Sequence, residues 1–128
     1  MPDRRRRLGD KGEAAVAEWY TARGYEVVAR NWRCADGELD LVLSGRSSAH
    51  PDRGVVVFCE VKTRSGSAFG APLEAVTPAK QRRLRRLAGR WLAEAKPPGL
   101  SAEHVRVDVA AVRPGPGGFV IDVVEDAC

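Results

Sequence analysis

Residues 55–63 read Val-Val-Val-Phe-Cys-Glu-Val-Lys-Thr, the most strand-like segment of the chain, and the point where their apolar character gives out constrains what surrounds them. Alternate side chains of a strand share a face, so Val56, Phe58, Glu60 and Lys62 point the same way. That face begins in a core and ends in charge. Charge carried inward on an apolar strand is costly unless it is paired or serves a site. A second strand, 38–44, follows the turn Ala35-Asp36-Gly37 and sets Leu39, Leu41 and Leu43 against Glu38, Asp40 and Val42 on the other face. If the two strands are hairpin neighbours, Asp40, Glu60 and Lys62 come together.

The remaining elements follow from local signals. Asp10 is placed to cap a first helix running to about Arg23, with Gly24 as its stop and Gly12, Val16, Trp19 and Tyr20 as its inward stripe. Residues 25–33 read as a strand, 44–54 as a polar loop, and 64–76, rich in Gly, Ser and Ala, as another loop. Thr77-Pro78 supplies a cap and a first-turn proline for a second helix. Leu84, Leu87, Ala88, Trp91, Leu92 and Ala95 form its core-facing stripe, and Pro97-Pro98-Gly99 ends it. Two more strands, 105–112 and 119–124, are joined across 113–118. The order α-β-β-β-α-β-β predicts an α/β fold with a mixed β-sheet flanked by helices, not an alternating doubly wound fold. With 128 residues this is one domain, 9–128, behind a basic N-terminal arm, 1–8.

Charge is concentrated rather than spread. Residues 78–96 hold Lys80, Arg82, Arg83, Arg85, Arg86, Arg90 and Lys96 against Glu94, a net +6. The four arginines at 4–7 against Asp3 add +3, so the rest of a chain of net charge +4 is acidic by −5. Such a footprint suits phosphate contact and equally suits a solvated helix face with a basic tail. No apolar stretch is long enough to span a bilayer, and the arginines at 4–7 lead into Leu-Gly-Asp-Lys rather than an apolar signal segment. Cys34, Cys59 and Cys128 lack paired spacing and read as reduced thiols of a cytoplasmic protein. His50 and His104 offer no zinc-ligand spacing, and no P-loop or dinucleotide glycine motif is present. Trp19, Trp32 and Trp91 fit a core better than a base-stacking platform, though Trp32 suits either.

Two carboxylates facing one point suit a hard cation, Mg²⁺ or Mn²⁺, and a lysine beside them can orient water or offset phosphate charge. Cross-strand salt bridging among Glu60, Lys62 and a neighbour accounts for the same residues without a site. Glu13 has two readings as well. It stands three residues after Asp10, the spacing of a capping box, yet it also lies close to the buried stripe of the first helix. Gln81, three before Leu84, either touches the site or caps the edge of the core. Asp108 either supports the site or pairs with Arg106 along its strand.

Gly9-x-x-Gly-Glu13, Arg30-Asn-Trp-Arg33, Gly37-Glu-Leu-Asp-Leu41 and Phe58-Cys-Glu-Val-Lys-Thr-Arg64 occur in this order. Phe69-Gly70, Ala75-Val-Thr77, Lys80 and Arg106-Val-Asp-Val109 follow. The set, from about Leu8 to Ala127, resembles the YraN-like family of small bacterial proteins, placed in the restriction-endonuclease-like (PD-(D/E)xK) superfamily with nucleases of the Holliday-junction resolvase type. The resemblance implies a mixed sheet flanked by helices. It also implies Asp40 and Glu60 as metal-binding and catalytic acids, Lys62 as the catalytic lysine, and Glu13 as a further metal carboxylate.

The leading expectation is therefore a Mg²⁺- or Mn²⁺-dependent endonuclease hydrolysing phosphodiester bonds in structured or branched DNA, with DNA favoured over RNA. Lys62 would position the attacking water, and Lys80, Arg83, Arg86 and Arg90 would bind phosphates. A two-fold dimer would suit a four-way junction. The alternatives are a non-catalytic nucleic-acid-binding module that keeps the fold, or a protein-interaction scaffold using the loop 64–76.

Overall fold

The computed structural model describes residues 4–46, 53–64 and 77–127, with only the backbone of 4–8. The expected loop at 64–76 lies, apart from Arg64, outside the described residues, as do His50, Cys128 and the side chains of the arginines at 4–7. The elements are α1 (Arg4–Thr21), β1 (Glu26–Cys34), β2 (Gly37–Arg46), β3 (Gly54–Thr63), α2 (Pro78–Glu94), β4 (His104–Gly115) and β5 (Gly118–Val124). The strands form one sheet in the order β1-β2-β3-β4-β5. Only β3 and β4 pair in parallel, because α2 carries the chain back between them; the other neighbours are antiparallel. This is the predicted α/β architecture.

One helix covers each face. On one side Val16, Ala17 and Tyr20 of α1 pack on Leu41, Leu43, Val55, Val57, Cys59, Ala110 and Val112. On the other, Leu84, Leu87, Ala88 and Trp91 of α2 pack on Val42, Val56, Phe58 and Val107. β3 is thus buried on both faces, and Glu60 and Lys62 leave the core on the α2 side, where the alternation with Phe58 puts them. No described helix is long and apolar enough to cross a membrane.

Two expectations are corrected. The first helix begins at Arg4, not at Asp10. Arginine is a good helix former, so the basic stretch continues the helix instead of preceding it, and Asp10 is no cap. The predicted stop does hold: Gly24, at φ 91°, donates to Thr21 O at 3.1 Å, and the Tyr25 amide reaches Tyr20 O at 3.1 Å. Leu39 does not share a face with Leu41 and Leu43; it packs with Val42 against α2. Between the paired residues Arg30↔Leu41 and Trp32↔Leu39 stand Asn31 and Asp40. Asn31 has φ 51°, a left-handed conformation that asparagine tolerates and that breaks the alternation of side chains. The tip of the β1–β2 hairpin turns over α2 as a result, and Trp32, Cys34 and Leu39 join that core.

Candidate functional site

Antiparallel pairing of β2 with β3 runs inward to Leu41↔Cys59. Just past it, the Asp40 carboxylate takes the place of a backbone acceptor: its Oδ2 receives the Val61 amide hydrogen at 2.9 Å. Asp40 and Glu60 therefore stand side by side where the two strands part. Burial, and then the charge of Glu60, push the Asp40 carboxyl from its ordinary 3.8 up to about 7, although the Val61 hydrogen bond pulls the other way.

Glu60 is 8% exposed and meets two ammonium groups at one oxygen. Lys62 Nζ and Lys80 Nζ each lie 3.1 Å from Oε1. Lys62 comes from the same strand; Lys80 comes from the first turn of α2, where the Thr77 hydroxyl accepts its backbone amide at 3.2 Å. Burial works against the Lys62 ammonium, but its surroundings, with Lys80 beside it and the Glu60 carboxylate facing it, outweigh burial and raise its pKa. The Lys80 pKa is lowered, by burial first and then by Lys62. Salt bridging of Glu60 with Lys62 is thus real, but it runs along one strand and out to α2 rather than across strands, and it coexists with two adjacent acids.

Glu13 lies near these acids without joining them. Burial, followed by Glu38 and Asp10, raises its pKa. With its amide nitrogen turned toward the two carboxylates, Asn31 donates to Glu38 Oε1 at 2.9 Å and to Glu13 Oε2 at 3.2 Å. Glu13 is brought close because Gly12 meets Thr63 at the end of β3, where a β-carbon would overlap the Thr63 hydroxyl. Among the described residues, no three His, Cys, Asp or Glu side chains converge closely enough to enclose a metal ion.

The oxygen-only pair nevertheless fits a hard divalent cation. Mg²⁺ commonly takes one or two carboxylates and fills its other positions with water and phosphate oxygens. The known contacts use Oδ2 of Asp40 and Oε1 of Glu60, and the Asp40 carboxyl, raised first by burial, also faces the charge of Glu60, which a cation would offset.

The predicted phosphate contacts separate into three. Lys80 is drawn into the acid pair. Arg83 and Arg86 are exposed and, with Thr77, Ala79 and Lys80, line a cavity of about 530 Å³. Arg90 is held by Glu94, at 2.8 and 3.2 Å, and by Asp36 at 3.1 Å. It ties α2 to the hairpin tip. Gln81 is half-buried one turn before Leu84, and its backbone N–H donates to Thr77 O at 2.9 Å.

Asp108 is settled as a structural residue on the opposite, α1 face. It is fully buried and accepts from Tyr20 Oη at 2.6 Å, from Arg106 at 2.9 and 3.0 Å, and from the Asp126 amide at 2.9 Å. Two functional placements escaped the sequence reading. Lys80 stands four residues before Leu84, so the stripe itself signalled that it faces inward. Asn31 showed as part of the Arg30-Asn-Trp-Arg33 motif, but its left-handed conformation was signalled only by an asparagine inside a strand, a weak sign.

The family model described as uncharacterised protein family UPF0102 matches residues 12–112. A UPF0102 protein of Symbiobacterium thermophilum is 50% identical over 113 residues, 88% of this chain and 87% of that one. One of Beutenbergia cavernae is 54% identical over 105 residues, 82% and 80% of the two chains. One of Clavibacter michiganensis is 46% identical over 122 residues, 94% and 95%. The matched span runs from the glycine that touches Thr63 to the inner part of β4 and takes in Glu13, Asp40, Glu60, Lys62 and Lys80, and the chain belongs to the uncharacterised protein family UPF0102, the YraN-like family that its motifs resemble.

Proposed function

We propose that this protein is a Mg²⁺- or Mn²⁺-dependent nuclease of the restriction-endonuclease-like superfamily, acting on phosphodiester bonds in structured or branched DNA. The observation that carries this reading is the pairing of Asp40 with Glu60 where β2 and β3 part, with Lys62 on the second acid. Asp40 and Glu60 would hold the metal, with Glu13 at its margin. A divalent cation there would polarise a phosphoryl oxygen and lower the pKa of bound water.

The chain's own residues do the rest. Lys62, held against Glu60, orients the attacking water and offsets charge on the phosphate. Arg83 and Arg86 hold flanking phosphates in the adjoining cavity, contacts that position a backbone without reading bases. The free, non-disulfide Cys34 and Cys59 suit a reducing, cytoplasmic setting.

One observation favours the non-catalytic alternative. Two lysines already balance Glu60, and no third acid, histidine or cysteine closes a metal cage among the described residues. Incubation with Mn²⁺ and a panel of linear, flap and four-way-junction DNAs decides between them. The nuclease reading expects cleavage by the wild type, none by Glu60→Gln, and none by Lys62→Ala despite retained Mn²⁺ binding. DNA binding without cleavage of any substrate would leave the binding module.

A further inference from the structure

Lys80 occupies a place that the nuclease reading does not require of it. Its ammonium and that of Lys62 share Oε1 of Glu60, although like charges repel at such range. The arrangement is sustained by the acids beneath it: Glu60 faces both ammonium groups, and Asp40 adds its charge beside Lys62. Adding a divalent cation to those acids would leave two ammonium groups within a few ångström of a dication. One of them has to yield. Lys62 is bound to β3 two residues from Glu60, and its strand is paired on through Lys62↔Ala111. Lys80 sits on the first turn of α2 and borders the cavity that it shares with Thr77, Arg83 and Arg86, so its stem can swing there without moving backbone.

We propose that Lys80 is a two-position residue: the internal counterion of Glu60 before a divalent cation binds, and a phosphate ligand beside Arg83 and Arg86 once the cation has displaced it. This rests on the metal-site reading above and extends it. It makes cation and nucleic acid cooperative, since the cation releases the positive charge that the backbone then uses, and such coupling must act equally in both directions. Lys80 is a binding residue in this account, and its effect is read in binding.

The test is calorimetric titration of Mn²⁺ into the full chain, with duplex DNA affinity measured against salt in the presence and absence of Ca²⁺. Lys80→Gln removes the competing charge and should tighten Mn²⁺ by roughly tenfold. Lys80→Arg keeps the charge and should bind Mn²⁺ as the wild type does. In the wild type Ca²⁺ should steepen the salt dependence of DNA binding by about 0.9 in log–log slope, the value of one added duplex phosphate contact. In Lys80→Gln that increment should vanish. Metal-free melting temperatures monitor the fold, and the Lys80→Arg protein separates loss of charge from loss of packing.

Unchanged or weaker Mn²⁺ binding by Lys80→Gln, with a wild type that binds, overturns the role of Lys80 and leaves the metal site standing. Failure of wild type and both variants to bind Mn²⁺ overturns the metal site and this inference with it.

Discussion

The Asp40 carboxylate and the Val61 amide are joined at 2.9 Å across twenty-one residues of sequence, at the point where β2 and β3 cease to pair through their backbones. A side chain thereby serves as the terminal acceptor of a sheet, and the same act fixes Asp40 beside Glu60. Local geometry at one strand end therefore creates the acid pair, and four expectations follow from it and from its surroundings.

Asp40 carries a pH signature. Its carboxyl, ordinarily near 3.8, is pushed up to about 7, so the folded chain keeps a proton that the unfolded chain releases near pH 4. The native state binds more protons in that window, and its stability must fall as pH rises from about 4 to about 7. Moving a carboxyl that far is worth at most about 4 kcal/mol. Asp40→Asn, whose side-chain oxygen can still accept from Val61, should therefore be more stable than the wild type above pH 7 in chelator and equal to it below pH 4. Urea unfolding of both proteins across this range measures the difference. Wild-type Mn²⁺ affinity should rise through pH 7, because the cation needs the ionised acid.

Glu60 should be needed for both charge balance and metal. Glu60→Gln leaves two ammonium groups without their shared partner and should cost about 1–3 kcal/mol in the metal-free protein. A rise of melting temperature with Mn²⁺, expected of the wild type because binding to the native state stabilises it, should disappear. Differential scanning fluorimetry with and without Mn²⁺ reads both effects.

Tyr20 and Asp108 form the counterpart on the α1 face, and they should govern stability alone. Tyr20→Phe removes a buried hydrogen bond to a charged acceptor and should cost about 1.5–3 kcal/mol. Asp108→Asn also strips the charge facing Arg106 and should cost about 3–5 kcal/mol. Mn²⁺ affinity of Tyr20→Phe should match the wild type, because the sheet separates this network from Glu60. Denaturant unfolding and metal titration together check the pair.

The arginines of α2 should divide by partner. Arg83→Gln with Arg86→Gln should flatten the salt dependence of DNA binding by about 0.9 per lost duplex phosphate contact. Arg90→Gln should leave that slope unchanged, because Glu94 and Asp36 already hold its guanidinium. Salt titrations of labelled duplex and junction DNA distinguish the two groups.

Much of this protein was determined by local sequence alone. Strand and helix periods set which residues are buried, so the apolar run 55–59, the stripe from Leu84 to Trp91 and the Thr77-Pro78 start of α2 suffice for the order of elements. They also put Glu60 and Lys62 on the face of Phe58. Alternation could not foresee Leu39, because one left-handed residue, Asn31, turns the hairpin tip, and a single dihedral angle leaves almost no trace in a pattern of period two. Nor could charge counting divide the basic residues of α2. Lys80, Arg83 and Arg90 carry the same charge, but only the packing of the helix on the sheet brings Glu60 to the first and Asp36 to the last. Partners in an ion pair are chosen by distance in space, and for these residues that distance is set by how α2 crosses β2 and β3, which no stretch of the chain specifies by itself.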